Sequence, residues 1–372
     1  MKKEIIKYKI NTEEYRVTFC NDNEAADIAE DLKRLESDKK MLLIIDSNIS
    51  KKILSPLFQD LASSGFTLEI LYLNGSKKNK DLKLLLRIID KLISNGFTKR
   101  SVVLSCGGGV IGDVSALAAS LYLRGTIYYH IPTTMTAMVD SCIGGKTGIN
   151  YKEIINSVGS YYHPKNVFIS KNIINLLPER EFLAGLPEIF KIGFIDSKNI
   201  LQLVEKNFKK IINRDFSFLA KIIKLALNSK IKFFKNDVHE QSKRLRLNFG
   251  HTFAHAIEMS LKSKKDEVLR HGEAVGLGML CELYYDEGFS KKFDHLKKIL
   301  KKFNLPFKIN KFVKKNKKDL IKNEIYKFIF LDKKKISIYP RYISVKSYGV
   351  SSIEEMKSNT RILNTIEDVL LK

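Results

Sequence analysis

The segment "LNFGHTFAHAIE", residues 247–258, holds two of the chain's seven histidines, His251 and His255. Residues four apart share one face of a helix, so both imidazoles can face one ligand. A catalytic zinc-like ion takes three nitrogen or oxygen ligands from the protein and leaves one position open. Thr252 follows His251, so the general base of the metalloprotease pattern HExxH is absent. The segment therefore favours a metal centre of another kind.

Three further residues are candidate ligands of such a metal. Glu188 lies in "AGLPEIFKIG", and His271 and Glu273 lie in "LRHGEAVGLG", both helix-like segments with small residues nearby. For any one histidine taken singly, a packed and hydrogen-bonded core position is an equal alternative. The residues predict one metal site that uses some of a set of five, and spacing does not choose among them: Glu188, His251, His255, His271 and Glu273.

A glycine-rich segment, "SVVLSCGGGVIGDVSALAAS", follows a strand pattern and opens a helical one. Gly107, Gly109 and Gly112 satisfy GxGxxG, in which glycines let the backbone approach a pyrophosphate at a helix N-terminus. A tight strand-to-helix turn without a ligand is the alternative. Asp46 closes the earlier strand pattern "MLLIID", where its carboxylate can accept from a ribose or cap a helix. The acid usual about twenty positions after the glycines is missing, so the layout is not that of a standard Rossmann fingerprint.

A second polar loop, "IPTTMTAMVDSCIGGKTGIN", follows another strand pattern. It contains Thr133, Thr134, Asp140 and Lys146. Hydroxyl groups there can bind a diphosphate or an amide, and a lysine in a glycine-rich turn can hold an anion. An ordinary polar loop is the alternative for this segment taken alone.

The spacing of apolar residues, which predicts the strands and helices that position these side chains, changes along the chain. In the first half, "MLLIID", "FTLEILYL", "SVVLSC" and "TIYYHIP" predict strands, and "KDLKLLLRIIDKLISNG" predicts an intervening helix. This rhythm predicts a mostly parallel, Rossmann-like sheet with ligands beyond the carboxyl ends of its strands. From about Leu177 the spacing is helical, and a hairpin is predicted within "KKISIYPRYISVKSYG". We expect an α/β domain over 1–177 and a mainly helical domain over 178–372.

Composition narrows the class of protein. The chain has 372 residues, 44% of them hydrophobic, and neither a signal peptide nor a membrane span is indicated, so we expect a cytoplasmic protein. The four cysteines form no CxxC pair, which argues against a thiolate zinc site. The net charge is +24, but the lysines are dispersed and no nucleic-acid motif accompanies them. We expect no nucleic-acid partner and an anionic small substrate.

Five segments in order resemble 3-dehydroquinate synthase and the wider sugar-phosphate cyclase family: "GGGVIGDVSALAASLYLRG", "PTTMTAMVDSCIGGKTGIN", "LPEREFLAGLPEIFKIGFI", "RLRLNFGHTFAHAIE" and "RHGEAVGLGM". The resemblance runs from about Asp46 to the region of Asp332. It implies an NAD-binding α/β domain, a helical domain, zinc or cobalt, and a homodimer. The implied reaction converts 3-deoxy-D-arabino-heptulosonate 7-phosphate to 3-dehydroquinate and phosphate by transient oxidation with NAD, phosphate elimination, re-reduction and aldol closure.

The resemblance also assigns roles residue by residue. It implies that the metal ligands are Glu188, His251 and His271. The positions that match cofactor contacts are Asp46, Gly108, Gly109, Asp113, Thr133, Thr134, Asp140 and Lys146. Those that match the surroundings of the substrate are Lys146 again, Asn156, Lys191, Lys230, Arg244, Asn248 and His255. Arg124 corresponds to an arginine that reaches the neighbouring subunit's site, and one of Lys333 to Lys335 corresponds to a phosphate contact.

Several positions depart from the family pattern. Ile155 stands in place of a lysine, Leu176 in place of a threonine, Lys77 in place of an acid, and Cys142 in place of a serine. Lys230, Arg244 and Asn248 favour a substrate with a carboxylate. The departures keep open a divergent cyclase of the 2-epi-5-epi-valiolone or 2-deoxy-scyllo-inosose synthase type. A metal-dependent polyol dehydrogenase and a basic binding protein without catalytic activity are further alternatives.

Overall fold

The computed structural model describes residues 4–10, 13–21, 24–35, 37–152, 154–261, 268–331 and 338–372. The chain forms two compact units. The first contains Met1–Pro178 and Arg214–Ile231, and the second contains Glu179–Asn213 and Lys232–Lys372. The expected domain division after residue 177 is a simpler partition than this grouping, and it stays a prediction. Lys333 to Lys335 lie outside the described residues.

The first unit is built on a seven-stranded sheet in the order β1-β2-β9-β6-β5-β3-β4. The strands are β1 (Glu4–Ile10), β2 (Glu13–Cys20), β3 (Lys40–Asp46), β4 (Thr67–Leu73), β5 (Val102–Gly107), β6 (Ile127–Pro132) and β9 (Asn166–Ser170). β1 and β2 pair antiparallel and all other neighbours pair parallel. Every residue of β5 is buried, as expected for a central parallel strand covered on both faces.

The helices of this unit follow from apolar stripes and caps in the sequence. They are α1 (Glu24–Lys33), α2 (Lys51–Ser63), α3 (Leu82–Ser94), α4 (Gly109–Leu121) and α5 (Lys171–Leu176). In α3 the buried residues recur at helical spacing, and the Asp81 side chain caps the helix by accepting from the Leu84 backbone N–H at 2.9 Å. A separate antiparallel hairpin is formed by β7 (Lys146–Tyr151) and β8 (Ile154–Tyr161).

The second unit is mainly helical. Its helices are α6 (Glu179–Ala184), α7 (Leu186–Ile195), α8 (Lys198–Lys206), α9 (Phe208–Ile212), α11 (His251–Ser260), α12 (His271–Glu287), α13 (Lys291–Lys302), α14 (Lys318–Phe330) and α15 (Asn359–Thr365). One hairpin joins them, formed by β10 (Arg341–Ser347) and β11 (Val350–Glu355). The remaining helix, α10 (Phe216–Phe234), runs through the change of unit after Ile231.

The predicted α/β plus helical architecture is confirmed, with differences in detail. The four predicted strands of the first half and the helix between them are present as β3 to β6 and α3. β1, β2 and β9 extend the same sheet and were not predicted. Of the hairpin expected within residues 334–349, positions 334–337 lie outside the described residues. Among the described ones pairing starts at Arg341, since Pro340 has no N–H for a ladder. No helix in the described ranges is long and apolar enough to cross a membrane.

Candidate active site

Three side chains of the second unit converge on one point. Glu188 lies in the first turn of α7, His251 is the first residue of α11, and His271 is the first residue of α12. Glu188 Oε1 lies 3.8 Å from His251 Nε2 and 3.6 Å from His271 Nε2. Ligand atoms about 2.1 Å from one tetrahedral ion stand about 3.4 Å apart. The spacing therefore fits a single metal ion with three protein ligands.

The Glu188 carboxylate supports the same interpretation, because one of its two oxygens has no hydrogen-bond partner among the described residues. Its side chain is 1% exposed, and Oε1 makes no hydrogen bond to any described residue. A buried carboxylate oxygen without a partner is costly, and a cation satisfies it. The other oxygen, Oε2, lies 2.5 Å from Nζ of Lys191, which is itself 1% exposed. One side of the carboxylate is thus neutralised by the protein, and the other is available to a metal.

The two histidines present the nitrogen that a metal needs. His251 Nδ1 lies 3.2 Å from the Phe249 carbonyl oxygen, which can only accept, so Nδ1 carries the proton. His271 Nδ1 lies 3.3 Å from both carboxylate oxygens of Glu258 and is a donor for the same reason. In this tautomer each ring has its lone pair on Nε2, the nitrogen that faces Glu188 Oε1.

Close packing of α11 on α12 sets the positions of these histidines. Gly250, with φ of +82°, is the N-cap of α11, and a Cβ there would lie 2.8 Å from the Met279 backbone nitrogen. A Cβ on Gly278 would lie 1.9 Å from the Gly250 carbonyl oxygen. Only glycine fits both positions, so α11 begins directly against the side of α12.

Glu273, one of the candidate ligands, is held by other partners. Its carboxylate accepts from Arg180 Nε at 2.8 Å and Nη2 at 2.7 Å, and Oε2 also accepts from the Arg270 backbone N–H at 2.8 Å. These bonds cap α12 and tie it to α6. His255 belongs to a second group, in which ligand atoms of His255, Glu258 and His271 lie within 4.8 Å of one another. Both possible triads therefore share His271.

A pocket beside the metal candidates collects residues that were assigned to the substrate. His251, His255 and Asn248 line it together with residues of the hairpin, among them Arg341. The Thr252 hydroxyl donates to the Arg341 carbonyl at 2.7 Å and joins α11 to β10. Arg244, which precedes Asn248 in the sequence, is buried and donates to the Val238 carbonyl at 2.6 Å.

In the first unit, candidate cofactor residues lie at the carboxyl edge of the parallel sheet. Asp46 ends β3, Gly107 ends β5 and begins the glycine loop, and Thr133 follows β6. A Cβ on Gly108 would lie 2.9 Å from Thr134 Cγ2, so the loop passes directly over the threonine pair. Asp46 accepts from the Asn48 backbone N–H at 3.0 Å and holds its own loop. The position of this edge is the one at which open α/β sheets bind ligands.

His130 lies under the glycine loop and fills the space that a side chain at Gly112 would need. Its ring stands 3.1 Å from a Cβ built on Gly112, and its Nδ1 lies 2.7 Å from the Ser105 hydroxyl. Burial lowers the pKa of His130 to about 4. The imidazole is therefore neutral at pH 7 and acts as a packed support of the loop.

A partly buried ionic network joins three segments of the first unit. Lys80 Nζ donates to Asp113 Oδ2 at 2.5 Å and to Asn156 Oδ1 at 2.5 Å. Burial raises the pKa of Asp113, and the ammonium group of Lys80 opposes that shift. Asn156 has φ of +50°, in the left-handed region that asparagine adopts more readily than most residues, and this contact helps to hold it.

A second lysine makes similar contacts in the same unit. Lys230 is 6% exposed; its Nζ lies 3.0 Å from Asp140 Oδ1 and donates to the Asp140 and Ile143 carbonyls. The lysine therefore anchors the polar loop that follows β6. Asp113 and Lys146 line one pocket together with Cys142.

Comparison with known proteins identifies the family. A family model described as 3-dehydroquinate synthase N-terminal matches residues 70–184, and one described as 3-dehydroquinate synthase C-terminal matches residues 185–335. The 3-dehydroquinate synthase of Pelagibacter ubique (strain HTCC1062) is 36% identical over 367 residues, which cover 97% of each chain. The chain belongs to the 3-dehydroquinate synthase family. The resemblance found in the sequence and the expected enzyme class are confirmed.

Solved structures of related cyclases share the fold. A 2-deoxy-scyllo-inosose synthase complexed with carbaglucose-6-phosphate, NAD+ and Co2+ is 21% identical, with a TM-score of 0.85, and the match covers 99% of this chain and 100% of that one. A 2-epi-5-epi-valiolone synthase from Streptomyces hygroscopicus subsp. jinggangensis 5008, with NAD+ and Zn2+ bound, is also 21% identical, with a TM-score of 0.81 and coverage of 96% and 97%. The ligands of these two structures, NAD and a divalent metal, are of the same kind as the cofactors expected from the sequence.

Two residues that contact candidate site residues were not found from the sequence: Lys80 and Glu258. Lys80 stands in a lysine-rich stretch, "KKNK", where nothing distinguishes it from exposed neighbours. Glu258 follows His255 by three residues, a spacing that places both on one helix face and that could have drawn attention to it. Arg124 lies in an exposed turn, Tyr122–Arg124, with φ of +62°.

Proposed function

We propose that the protein is a 3-dehydroquinate synthase that converts 3-deoxy-D-arabino-heptulosonate 7-phosphate to 3-dehydroquinate and phosphate. The observation that carries the proposal is the convergence of Glu188 Oε1 with Nε2 of His251 and of His271 in a chain of this family. We assign NAD binding to the α/β region 1–177, and metal binding with most of the substrate contacts to the helical region 178–372.

The two cofactors supply the chemistry that side chains lack. A metal held by Glu188, His251 and His271 would act as a Lewis acid toward a substrate hydroxyl. NAD at the carboxyl edge of the sheet would accept and return a hydride, so the cycle is redox-neutral. In this proposal the candidate contacts of NAD are the residues at strand ends: Asp46, Gly108, Gly109, Asp113, Thr133, Thr134, Asp140 and Lys146.

The protein's own groups bind the substrate and move protons. His255 lies in the pocket beside His251 and is assigned as a substrate contact and proton carrier. Lys146, Asn156, Lys191, Lys230, Arg244 and Asn248 are assigned to substrate binding. The cations suit an anionic substrate, since an arginine binds carboxylate or phosphate through two parallel hydrogen bonds and a buried lysine acts as a fixed point charge.

The departures from the family pattern concern the identity of the substrate. Ile155 and Leu176 are 44% and 58% exposed, so neither needs an apolar residue for packing. A missing charged hydrogen bond is worth about 1.5 to 3 kcal/mol, which lowers affinity but leaves the other cations in place. Arg244 and Lys230 remain, and they favour a substrate with a carboxylate over sugar phosphates that lack one.

The decisive experiment is a parallel assay with several sugar phosphates. Purified protein with NAD and Zn2+ is expected to release phosphate from the heptulosonate phosphate and to form 3-dehydroquinate without net NADH. Sedoheptulose 7-phosphate and glucose 6-phosphate should give no phosphate. Turnover of either of these, with none of the heptulosonate, would assign the chain to another cyclase reaction. Accumulation of NADH would instead indicate a dehydrogenase.

Zinc as the bound metal, a cytoplasmic location and a homodimer complete the proposal. Apolar side chains exposed on the β7-β8 hairpin support a self-association surface: Tyr151, Val158 and Tyr161 are 46%, 44% and 38% exposed. Arg124 is assigned to the neighbouring subunit's site. Light scattering of the wild type should give the mass of a dimer, and a Val158→Glu variant should shift it toward the monomer. A monomeric wild type would reject both assignments.

A further inference from the structure

The carboxylate of Glu258 lies close to His255 and His271, and His271 also belongs to the Glu188 group. Its two oxygens are each 3.3 Å from His271 Nδ1, and one ligand atom each of His255, Glu258 and His271 lies within 4.8 Å of the others. The residue stands on α11, three positions after His255 and seven after His251, so all three share one helix face.

We propose that Glu258 is a positioning residue of the metal centre, which holds His271 in the tautomer and orientation that direct Nε2 toward Glu188. The inference rests on the proposed metal site and deepens it. An ionised carboxylate only accepts hydrogen bonds, so the contact fixes the proton on Nδ1. An anionic partner also makes the other ring nitrogen a stronger ligand.

The two ligand histidines differ in the partner of Nδ1 and in exposure, and these differences make the orientation of His271 depend on Glu258. His251 Nδ1 donates to the neutral Phe249 carbonyl oxygen, which the backbone of its own helix start supplies. His271 is the first residue of α12, and its side chain is 29% exposed, compared with 12% for His251. Its ring therefore has less packing to orient it, and the carboxylate replaces that packing.

The test measures Co2+ binding by the metal-free full-length protein, with the visible spectrum of the bound ion as a second readout. Glu258→Gln keeps an oxygen that accepts but loses the charge, and Glu258→Ala loses both. We expect affinity to fall roughly 10-fold to 100-fold, more for Ala than for Gln, and the Co2+ spectrum to change. Glu258→Asp, which restores the charge, is expected to recover part of the affinity.

Glu205→Gln is the matched control, because Glu205 Oε2 also pairs with a histidine of the second unit, His295 Nε2, at 3.1 Å. It should leave Co2+ affinity and spectrum unchanged. Wild-type affinity and spectrum in both Glu258→Gln and Glu258→Ala would overturn the inference and leave the proposed metal site intact. Failure of the wild type to bind Co2+ would overturn the metal site and the inference together.

His255→Ala separates a positioning role from direct ligation. If Glu258 acts through His271, this variant keeps the Co2+ affinity of the wild type, and Glu188→Ala loses it. If the metal is instead held by His255, Glu258 and His271, His255→Ala loses the metal and Glu188→Ala retains it. That second pattern would reject the inference, since Glu258 would then be a ligand itself. Far-UV circular dichroism checks that each variant is folded.

Discussion

The cluster around Asp113 in the first unit and the cluster around Glu188 in the second satisfy their charges in opposite ways. Asp113 has Lys80 as an internal counter-ion, and the same ammonium also donates to Asn156. Glu188 has Lys191 against one oxygen, but Oε1 makes no hydrogen bond to the part of the chain that is described. The first cluster is complete within the protein, whereas the second is complete only with a cation.

The difference indicates a division of tasks. A closed network of buried hydrogen bonds holds a binding surface rigid before any ligand arrives. A buried carboxylate oxygen facing two imidazole nitrogens is destabilising until an ion neutralises it, so metal binding and stability are coupled. Variants of the two clusters should therefore respond differently to added metal.

The largest effect is expected from the metal ligands themselves. His251→Ala should lose stoichiometric metal and turnover, because removal of one of three ligands leaves too few for a tight site. His255→Ala should keep the metal and lose turnover, since His255 is assigned to the substrate. Metal content after dialysis and phosphate release measure the two properties.

His239→Ala is the control for that pair, because His239 is an exposed histidine outside both groups of candidate ligands. It should retain both metal and turnover. Equal loss of metal in His251→Ala and His255→Ala would show that the two residues act as a simple chelating pair.

The next largest effect is expected on the pH dependence of stability, to which Glu282 and His130 should contribute with opposite signs. Glu282 is a buried residue of α12. Burial raises its pKa to about 8 from an ordinary value of 4.5, although hydrogen bonds from the Gly250, Ile343 and Thr252 backbone amides oppose the shift. Between these values the folded state holds a proton that the unfolded state releases. The contribution to stability is full below about pH 4.5 and is lost as pH rises toward 8.

His130 in the first unit should respond with the other sign. Its pKa falls to about 4 from 6.5, so between these values the unfolded state binds a proton that the folded state excludes. Its contribution is full above about pH 6.5 and is lost as pH falls toward 4. Each group should change the free energy of unfolding by at most about 1.4 kcal/mol per pH unit within its window.

Glu282→Gln and His130→Gln test these two windows. The difference in unfolding free energy between variant and wild type should depend on pH from 5 to 8 for Glu282→Gln and from 4 to 6.5 for His130→Gln. Denaturation in urea, with chelator present throughout, can be followed by circular dichroism, since the chain has no tryptophan. Parallel pH profiles for wild type and variant would contradict the assignment of that residue.

A smaller effect should follow from opening the closed cluster. Lys80→Met leaves Asp113 without its ammonium partner and should lower the free energy of unfolding by about 2 to 4 kcal/mol, somewhat less than for a fully buried pair because Asp113 is 22% exposed. Added Zn2+ should not restore this loss. Lys83→Met, at an exposed position of the neighbouring helix, should change stability by less than about 0.5 kcal/mol. Equal effects of the two substitutions would mean that the Lys80 network does not stabilise the fold.

The smallest effect is expected at Cys142, which the sequence comparison interprets as a replacement of a serine. Burial raises the pKa of this thiol to about 12, and Sγ lies 3.4 Å from the Met138 carbonyl. A neutral buried thiol is a weak nucleophile. Cys142→Ser should change turnover by less than about threefold, which is about 0.65 kcal/mol. Rapid alkylation of Cys142 in the folded protein, with loss of activity, would contradict this expectation.

Local patterns predicted the parts of this protein that depend on neighbours in sequence. Alternation of apolar runs and turns identified β3 to β6, and spacing of four placed His251 and His255 on one face of α11. The strands β1 and β2 were missed because "EIIKYKI" and "EEYRVTFC" mix charges with apolar residues, and β9 was missed because "NVFIS" is only 5 residues long. Glu188, 63 positions before His251, joined the candidate set by residue type and came into the ligand set only through the family resemblance.

The sequence by itself determined the family, the succession of an α/β region and a helical region, and the candidates for each role, because motifs and periodicity are local properties. Only the tertiary structure decided which candidates meet. It directed Nε2 of His251 and His271 toward Glu188, committed Glu273 to Arg180, and gave Asp113 a lysine for its partner. These outcomes depend on how α7, α11 and α12 pack and on which buried charge finds a counter-ion, and neither is encoded in the spacing of residues along one segment.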